Sequence, residues 1–343
     1  MSIQEITPEK LNSEEFIKQK ADEISSIVGN GIAINALSGG VDSSTVTLLA
    51  HKALGERLKT YFVDNGIMRE GEPEKIVSIF KNLGVDVQLV DAKKEFFDAF
   101  KGITDPEEKR EALTQTFYKN IFAKLVKESG AKYLLQGTIL TDVDETVAGI
   151  KRQHNVFEQL GIDPQKAFGY KIIEPLIQLR KPAVRTIAKA LGLPEEIFTR
   201  PPFPGPALAA RVIGEVTPER IELVRKATKI TEEELRNVKV SDSIPDSIES
   251  EIQRTSRKTR RPFQYLAILH EDKVTGMKDN KRDYGFQIEI RCWDSKDARI
   301  ASPTKLPFET LTKLADRITK EVPGVVSVTY NITPKPPSTI EAV

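Results

Sequence analysis

Short β-rich runs alternate with longer helical stretches, and this rhythm constrains the chain more than any other feature of its sequence. The runs Ile32–Leu37, Thr60–Val63, Val85–Val90, Tyr133–Leu135 and Ile172–Ile173 are separated by helical patterns at 42–54, 72–83, 107–129 and 182–191. Strands that alternate with helices pair parallel and bury both faces of their sheet under those helices. Most of the runs are largely apolar, as strands covered on both faces require. An amphipathic helix over Ser13–Val28, with Phe16, Ala21, Ile24 and Ile27 near helical spacing, precedes them. Residues 1–199 therefore predict a doubly wound α/β domain.

The rhythm stops at Arg200-Pro-Pro-Phe-Pro-Gly-Pro206. Four prolines in seven residues continue neither a helix nor a central strand, so a linker over 200–217 is expected. Beyond it the pattern is a helix near 218–228, a charged stretch over Lys239–Arg261, strands at Phe263–Leu269 and Tyr284–Trp293, a helix at Pro307–Glu321 and a strand at Val325–Ile332. The last strand sets Val326, Val328, Tyr330 and Ile332 on one face and Ser327, Thr329 and Asn331 on the other. A small α+β domain over 218–343 fits. A domain of about 120 residues with few helices buries little alone, which predicts a homodimer through this part.

The chain has 343 residues, enough for two domains. Its 51 Lys and Arg nearly cancel 50 Asp and Glu, which removes the electrostatic case for a nucleic-acid partner. A single cysteine, Cys292, can neither pair within the chain nor anchor a metal cluster, and beside Trp293 in a strand it reads as a buried packing thiol. The first twenty residues are charged throughout, and no apolar run approaches the ~18 residues that span a bilayer. A cytoplasmic protein without a membrane partner is expected.

The strongest chemical signal is Ser38-Gly39-Gly40-Val41-Asp42-Ser43-Ser44, between the first strand and the helix that follows. Adjacent glycines let the backbone turn tightly and present successive N–H groups to an anion. The positive end of the helix faces the same spot, and Ser38, Ser43 and Ser44 add hydroxyls. Asp42 would repel a bare phosphate and makes sense as a ligand of Mg²⁺ held against phosphates. A capped helix start after a Gly turn favours Ser and Asp too, so that reading stands beside the phosphate loop. The GxxxxGK[ST] lysine of the common P-loop is missing.

This heptapeptide resembles the signature loop of the N-type ATP pyrophosphatases, which adenylate a carbonyl oxygen and release pyrophosphate. Phe62-Val63-Asp64-Asn65-Gly66, Asp105-Pro-Glu-Glu-Lys-Arg110, Gln136-Gly137-Thr138-Ile139, Pro202-Phe203-Pro204-Gly205-Pro206 and Lys335-Pro336-Pro337-Ser-Thr339-Ile340-Glu341 follow in order. Together they resemble the synthetase part of the GMP synthase family, from about residue 20 to the C-terminus. The resemblance implies an adenine-nucleotide α-hydrolase-like parallel-sheet domain and a small α+β dimerisation domain. It implies an ATP-dependent ligase that amidates XMP to GMP, with ammonia from a separate glutaminase subunit or from solution. It places ATP on Ser38, Gly39, Gly40, Val41, Asp42, Ser43, Ser44, Val63, Gly137 and Thr138, and Mg²⁺ on Asp42 and Asp142. Asp42, Lys151 and Lys181 become the catalytic candidates. Arg110, Gln287, Lys335, Thr339, Ile340 and Glu341 become the contacts of the substrate nucleotide. Lys181, before Pro182, reads equally as a solvated helix start.

The sequence departs from the family pattern near these residues. Lys151-Arg152-Gln153-His154-Asn155-Val156-Phe157-Glu158 stands where the family carries Lys-Ser-His-His-Asn-Val-Gly-Gly, Pro201 replaces a histidine, and Ala207 replaces a glycine. Three functions are compatible with the residues. They are a stand-alone GMP synthase synthetase subunit, a paralogue adenylating another oxo-base or nucleotide for amidation or thiolation, and a nucleotide-binding regulator without turnover.

Overall fold

The computed structural model describes residues 3–147, 170–199, 203–239, 261–278, 280–295, 298 and 300–342. Packing divides the chain into two compact units, one of residues 1–65, 71–93 and 114–200, the other of 66–70, 94–113 and 201–343. Among the described residues no helix is long and apolar enough to cross a membrane.

In the first unit, helix α1 (Ser13–Val28) starts where Asn12 accepts the Glu15 N–H at 3.3 Å. Then follow β1 (Ala33–Ala36), α2 (Val41–Leu54), β2 (Leu58–Asp64), α3 (Glu72–Asn82) and β3 (Val87–Asp91). After the segment 94–113, which belongs to the second unit and carries most of α4 (Lys93–Phe100) and α5 (Pro106–Gln115), a π-helical segment, Thr116–Phe122, leads into α6 (Ala123–Ser129). The unit closes with β4 (Tyr133–Leu135), α7 (Leu140–Val147), β5 (Lys171–Ile173), α8 (Lys181–Ala190) and α9 (Glu195–Phe198). All five strands are parallel in the order β3-β2-β1-β4-β5. The order reverses between β1 and β4, and in such sheets ligands bind in the crevice outside the C-terminal ends of those strands. Ile34, Phe62 and Leu134 are buried, as the apolar runs require, and α1, α2 and α8 pack on one another. The long helical pattern at 107–129 is present, but its middle is wound as π-helix.

The second unit takes in the segment 94–113 that carries most of α4 and α5. Asp105 accepts the N–H groups of Glu107 and Glu108 at 2.9 and 3.0 Å and so starts α5. Lys109 behind it is buried and donates to the Val212 carbonyl at 2.8 Å; burial pushes its ammonium down to about 8. After α10 (Pro218–Leu235) come β6 (Gln264–Lys278), β7 (Lys281–Ser295), β8 (Ala301–Pro303), α11 (Phe308–Glu321) and β9 (Val325–Tyr330). β6 and β7 form an antiparallel ribbon much longer than their apolar cores predict. β8 pairs antiparallel with the end of β7, and β9 pairs parallel with its middle. Arg317 on α11 bonds Glu234 and Glu233 on α10 at 2.8 and 2.9 Å.

One face of β7 is apolar and buried through Ile288, Ile290 and Cys292, and in register with it stand Val328 and Tyr330 of β9. Gln287, Glu289, Arg291 and Trp293 alternate onto the other face. β9 ends at Tyr330, and Ile332 beyond it is 78% exposed. Cys292 is buried and free, and burial pushes its thiol up to about 12. A thiol raised that far stays protonated near neutrality, where only the thiolate reacts. Iodoacetamide at pH 8 should therefore leave Cys292 unmodified in the folded protein and alkylate it in urea, read by intact mass. Rapid alkylation of the native protein contradicts this placement.

Candidate active site

The glycine-rich loop leaves β1 over a buried polar cluster. Asn35 donates its amide to Thr47 Oγ1 at 2.6 Å and accepts the Thr60 hydroxyl at 2.8 Å, and Thr47 donates to the Ser43 carbonyl at 2.8 Å. These bonds tie β1, β2 and the first turn of α2 together and satisfy polar groups that would otherwise be costly to bury. Gly39 takes φ +74°, the left-handed turn that glycine adopts without strain. The Ser38 and Ser43 hydroxyls lie 2.8 Å apart, and Ser43 also donates to the Gly40 carbonyl at 3.2 Å. Gly40 caps α2 without a side chain, as a helix start open to an anion requires. Ser44 is fully buried one step round the helix, so Ser38 and Ser43 are the hydroxyls at the mouth.

Asp42, second residue of α2, forms an ion pair with the ammonium of Lys181, first residue of α8. Of the two readings of Lys181, the structure turns its side chain toward the loop. The side chains remain 23% and 45% exposed, respectively, so a ligand could still reach them. The segment after β4 closes the other side. A Cβ on Gly137 would lie 3.1 Å from the backbone of Asp42 and Ser43, so any larger residue must displace the first turn of α2 by a few tenths of an ångström. Thr138 donates its hydroxyl to Glu174 at 2.6 Å. Asp142 accepts the Ile139 N–H at 3.0 Å, the third helical residue reaching back to the cap of α7. Val63 is buried in β2, in register with Val90.

A cleft of about 170 Å³ opens here, and Asn35, Ser38, Ser43, Gly137, Phe117 and Tyr118 are among the residues that line it. Phe117 stacks on Phe122 at 5.7 Å and 11°. Residues five apart diverge on an α-helix, and the wider π turn brings them to one side. Sequence reasoning missed these aromatics because their spacing matches no α-helical period. Lys151 and the altered run to Glu158 lie outside the described residues.

The residues near the C-terminus gather on the second unit. Lys335 donates to the Ala298 carbonyl at 2.8 Å, and its backbone pairs with Ala301. The Thr339 hydroxyl donates to the Glu341 carbonyl at 2.5 Å, and Ile340 is buried against Trp293. Glu341 takes its hydrogen bonds from Gln264 at 2.7 Å and from Arg211 at 3.3 Å. Gln287 bonds Ser327 at 3.3 Å, about 13 Å along β7 from Arg291. Arg110 is half-exposed on α5, 3.7 Å from Glu107. His270, without an evident partner in sequence, meets Glu289 at 2.9 Å. Burial alone would push the Glu289 carboxyl up, but bonds from His270, Arg291 and Asn331 outweigh it and hold the group at about 2.

The chain matches the family model described as GMP synthase C terminal domain over residues 250–342, and the model described as Asparagine synthase over residues 35–156. It is 47% identical over 331 residues to a subunit of the glutamine-hydrolyzing GMP synthase of Archaeoglobus fulgidus, covering 96% of this chain and 99% of that protein. The corresponding subunit of Pyrococcus furiosus is 46% identical, with 96% and 97% covered. The chain belongs to the GMP synthase family. A longer GMP synthase from Pyrobaculum aerophilum is 43% identical, and there the match spans 61% of that protein.

In this member of the GMP synthase family, the glycine-rich loop and the segment after β4 meet at the tight contact of Gly137. Gly137→Ala must push the first turn of α2 by a few tenths of an ångström. We expect ATP affinity by calorimetry to fall ~10-fold or more while circular dichroism and the thermal midpoint stay close to those of the parent. Unchanged ATP affinity means the loop yields freely.

Proposed function

We propose that this chain is an ATP-dependent ligase that converts XMP to GMP, the synthetase partner of a separate glutaminase subunit in the cytoplasm. Identity to GMP synthase subunits over almost the whole chain carries the reading and favours it over a paralogue. The pairing of Asp42 with Lys181 at the phosphate loop supplies chemistry for it.

The C2 carbonyl of xanthine is a poor electrophile until its oxygen becomes part of a leaving group. That oxygen attacks the α-phosphate of ATP, and the bond to the β-phosphate oxygen breaks to release pyrophosphate. Ammonia then attacks C2 and gives up protons, and AMP departs with the former xanthine oxygen, leaving the amino group of GMP. Charge collects on the departing pyrophosphate, where preorganised donors and cations act most strongly. Ser38, Gly39, Gly40, Val41 and Ser43 hold the phosphates at the start of α2, Lys181 and Lys151 neutralise them, and Val63, Gly137 and Thr138 flank the nucleotide.

Mg²⁺ would supply further charge neutralisation on the phosphates. Among the described residues no group of three acidic, histidine or cysteine side chains could hold a metal alone. One or two carboxylates beside substrate phosphates are the usual protein share of a Mg²⁺ site, so Asp42 fits, with Asp142 the weaker ligand. On the substrate nucleotide, Arg110, Lys335 and Thr339 suit the 5′-phosphate, and Gln287, Ile340 and Glu341 the remainder. We assign the unit of residues 1–65, 71–93 and 114–200 to ATP and the unit of 66–70, 94–113 and 201–343 to the nucleotide phosphate and dimerisation; the described part of the expected linker, 203–217, packs into the second unit and is no free tether.

Pyrophosphate release should require ATP, Mg²⁺, ammonium and XMP, with IMP and UMP inactive. Asp42→Asn should cut it by ~10²–10³ without loss of fold. Turnover of another nucleotide but not XMP sinks the reading, and near-full activity of the variant reduces Asp42 to a helix cap.

The C-terminal unit leaves Phe308 79% and Ile332 78% exposed, which supports a homodimer. Light scattering at micromolar concentration should give twice the chain mass, and a monomer refutes it.

A further inference from the structure

Arg211 is buried in the second unit as completely as any charge there, with its side chain only 1% exposed, and it is spent on one carboxylate. Its Nε meets one oxygen of Glu341 at 3.3 Å and its Nη2 meets the other at 3.5 Å. Gln264, also buried, donates to Glu341 Oε1 at 2.7 Å. The remaining amine of Arg211, Nη1, is buried without a hydrogen-bond partner among the described residues. Leaving a buried donor unsatisfied is a cost, and a well-packed apolar side chain would usually hold two pieces of structure at least as well. The guanidinium is nonetheless held in one plane. The Phe203 ring sits 4.7 Å from it and 3.7 Å from Arg69, which is itself bonded to Glu232 at 2.7 Å.

Around this carboxylate the backbone is fixed separately. Arg291 donates to the Thr339 carbonyl at 2.8 Å and the Glu341 carbonyl at 3.3 Å, and Trp293 donates to the Ile340 carbonyl at 3.3 Å. The tail does not need Arg211 to stay in place. What Arg211 and Gln264 control is the aim of the Glu341 side chain, which keeps 17% of its surface open to solvent. A carboxylate has about four lone-pair sites, so donors from within leave acceptors facing outward. Such a group repels a phosphate and accepts from N–H and O–H groups.

We propose that Arg211 is a positioning residue that aims Glu341 at the base N–H or ribose hydroxyl groups of the bound nucleoside monophosphate. This rests on the XMP reading of the site. The carboxylate would then read the nucleoside, while cations elsewhere read its phosphate.

The test is steady-state kinetics with ATP, ammonium and XMP on Arg211→Lys and Gln264→Met. Lysine keeps the charge but not the fork that grips both oxygens. For Arg211→Lys we expect KM for XMP to rise ~10-fold or more, with kcat and KM for ATP within ~3-fold. Gln264→Met keeps the buried charge pair and should move KM for XMP the same way by less, which covers a fold defect in the first variant. Glu341→Gln should match Arg211→Lys, and the double variant should be no worse than either, as for residues acting as one unit. Unchanged KM for XMP in folded Arg211→Lys and Gln264→Met, or additive losses in the double variant, overturns the proposal. If the parent consumes a different nucleotide, the XMP reading fails alone, and the same variants assayed with that nucleotide decide the role of Arg211.

Discussion

The ion pair between Asp42 and Lys181 joins the helix after the first strand to the helix after the last across 139 residues of sequence. Part-exposed pairs contribute little to stability, so this contact is not what holds the sheet together. Its cost and benefit lie in the charges. Asp42 stands in the first turn of its helix, where the macrodipole favours an anion, but Lys181 stands in the first turn of another, where a cation is disfavoured. A lysine set against the dipole and turned to a glycine-rich loop is a local rule broken at a site, and such breaks concentrate where function demands them. The crevice between β1 and β4 exists because the strand order reverses there, and both helix starts face it.

Precision at the loop comes from below. Asn35 in a buried strand has no place in an apolar core unless every bond is made, and Thr47 and Thr60 make them. That cluster holds the first turn of α2 against the sheet, and Gly137 lets the segment after β4 close on it without a side chain between. The π-helical winding of 116–122 carries Phe117 and Tyr118 to the same cleft. Rigid strands thus carry the loop, and a local irregularity supplies its aromatic wall.

The second unit solves a different problem. Its C-terminal tail has no regular structure to satisfy its carbonyls, so Arg291 and Trp293 do it with side-chain donors. Glu289 keeps Arg291 in place and is itself surrounded by three donors, which explains a carboxyl far more acidic than usual despite its burial. Around Glu289 the polar groups form a connected set, His270, Arg291 and Asn331 each bonded to its carboxylate, the condition under which a buried charge is tolerated.

Much of this was legible in the sequence alone. The five parallel strands, the start of α2 within one residue of Asp42, the full extent of α1 and the α+β character of the C-terminal part follow from period, from glycine and from proline. Each of those signals acts over a few residues. The ordered motifs also pointed to the right family. The sequence could not choose between two readings of Lys181, because Arg-Lys-Pro starts a helix equally well with its lysine in solvent or on a ligand. It could not reveal that 107–129 is α at its ends and π in the middle, a winding that goes with the packing of Phe117 on Phe122 and follows no sequence period. It left His270 without Glu289 and Glu341 without Arg211, partners 19 and 130 residues away. Periodicity states which face of an element is apolar, but a pairing between distant charges exists only once the folded chain brings them together and removes the water between them.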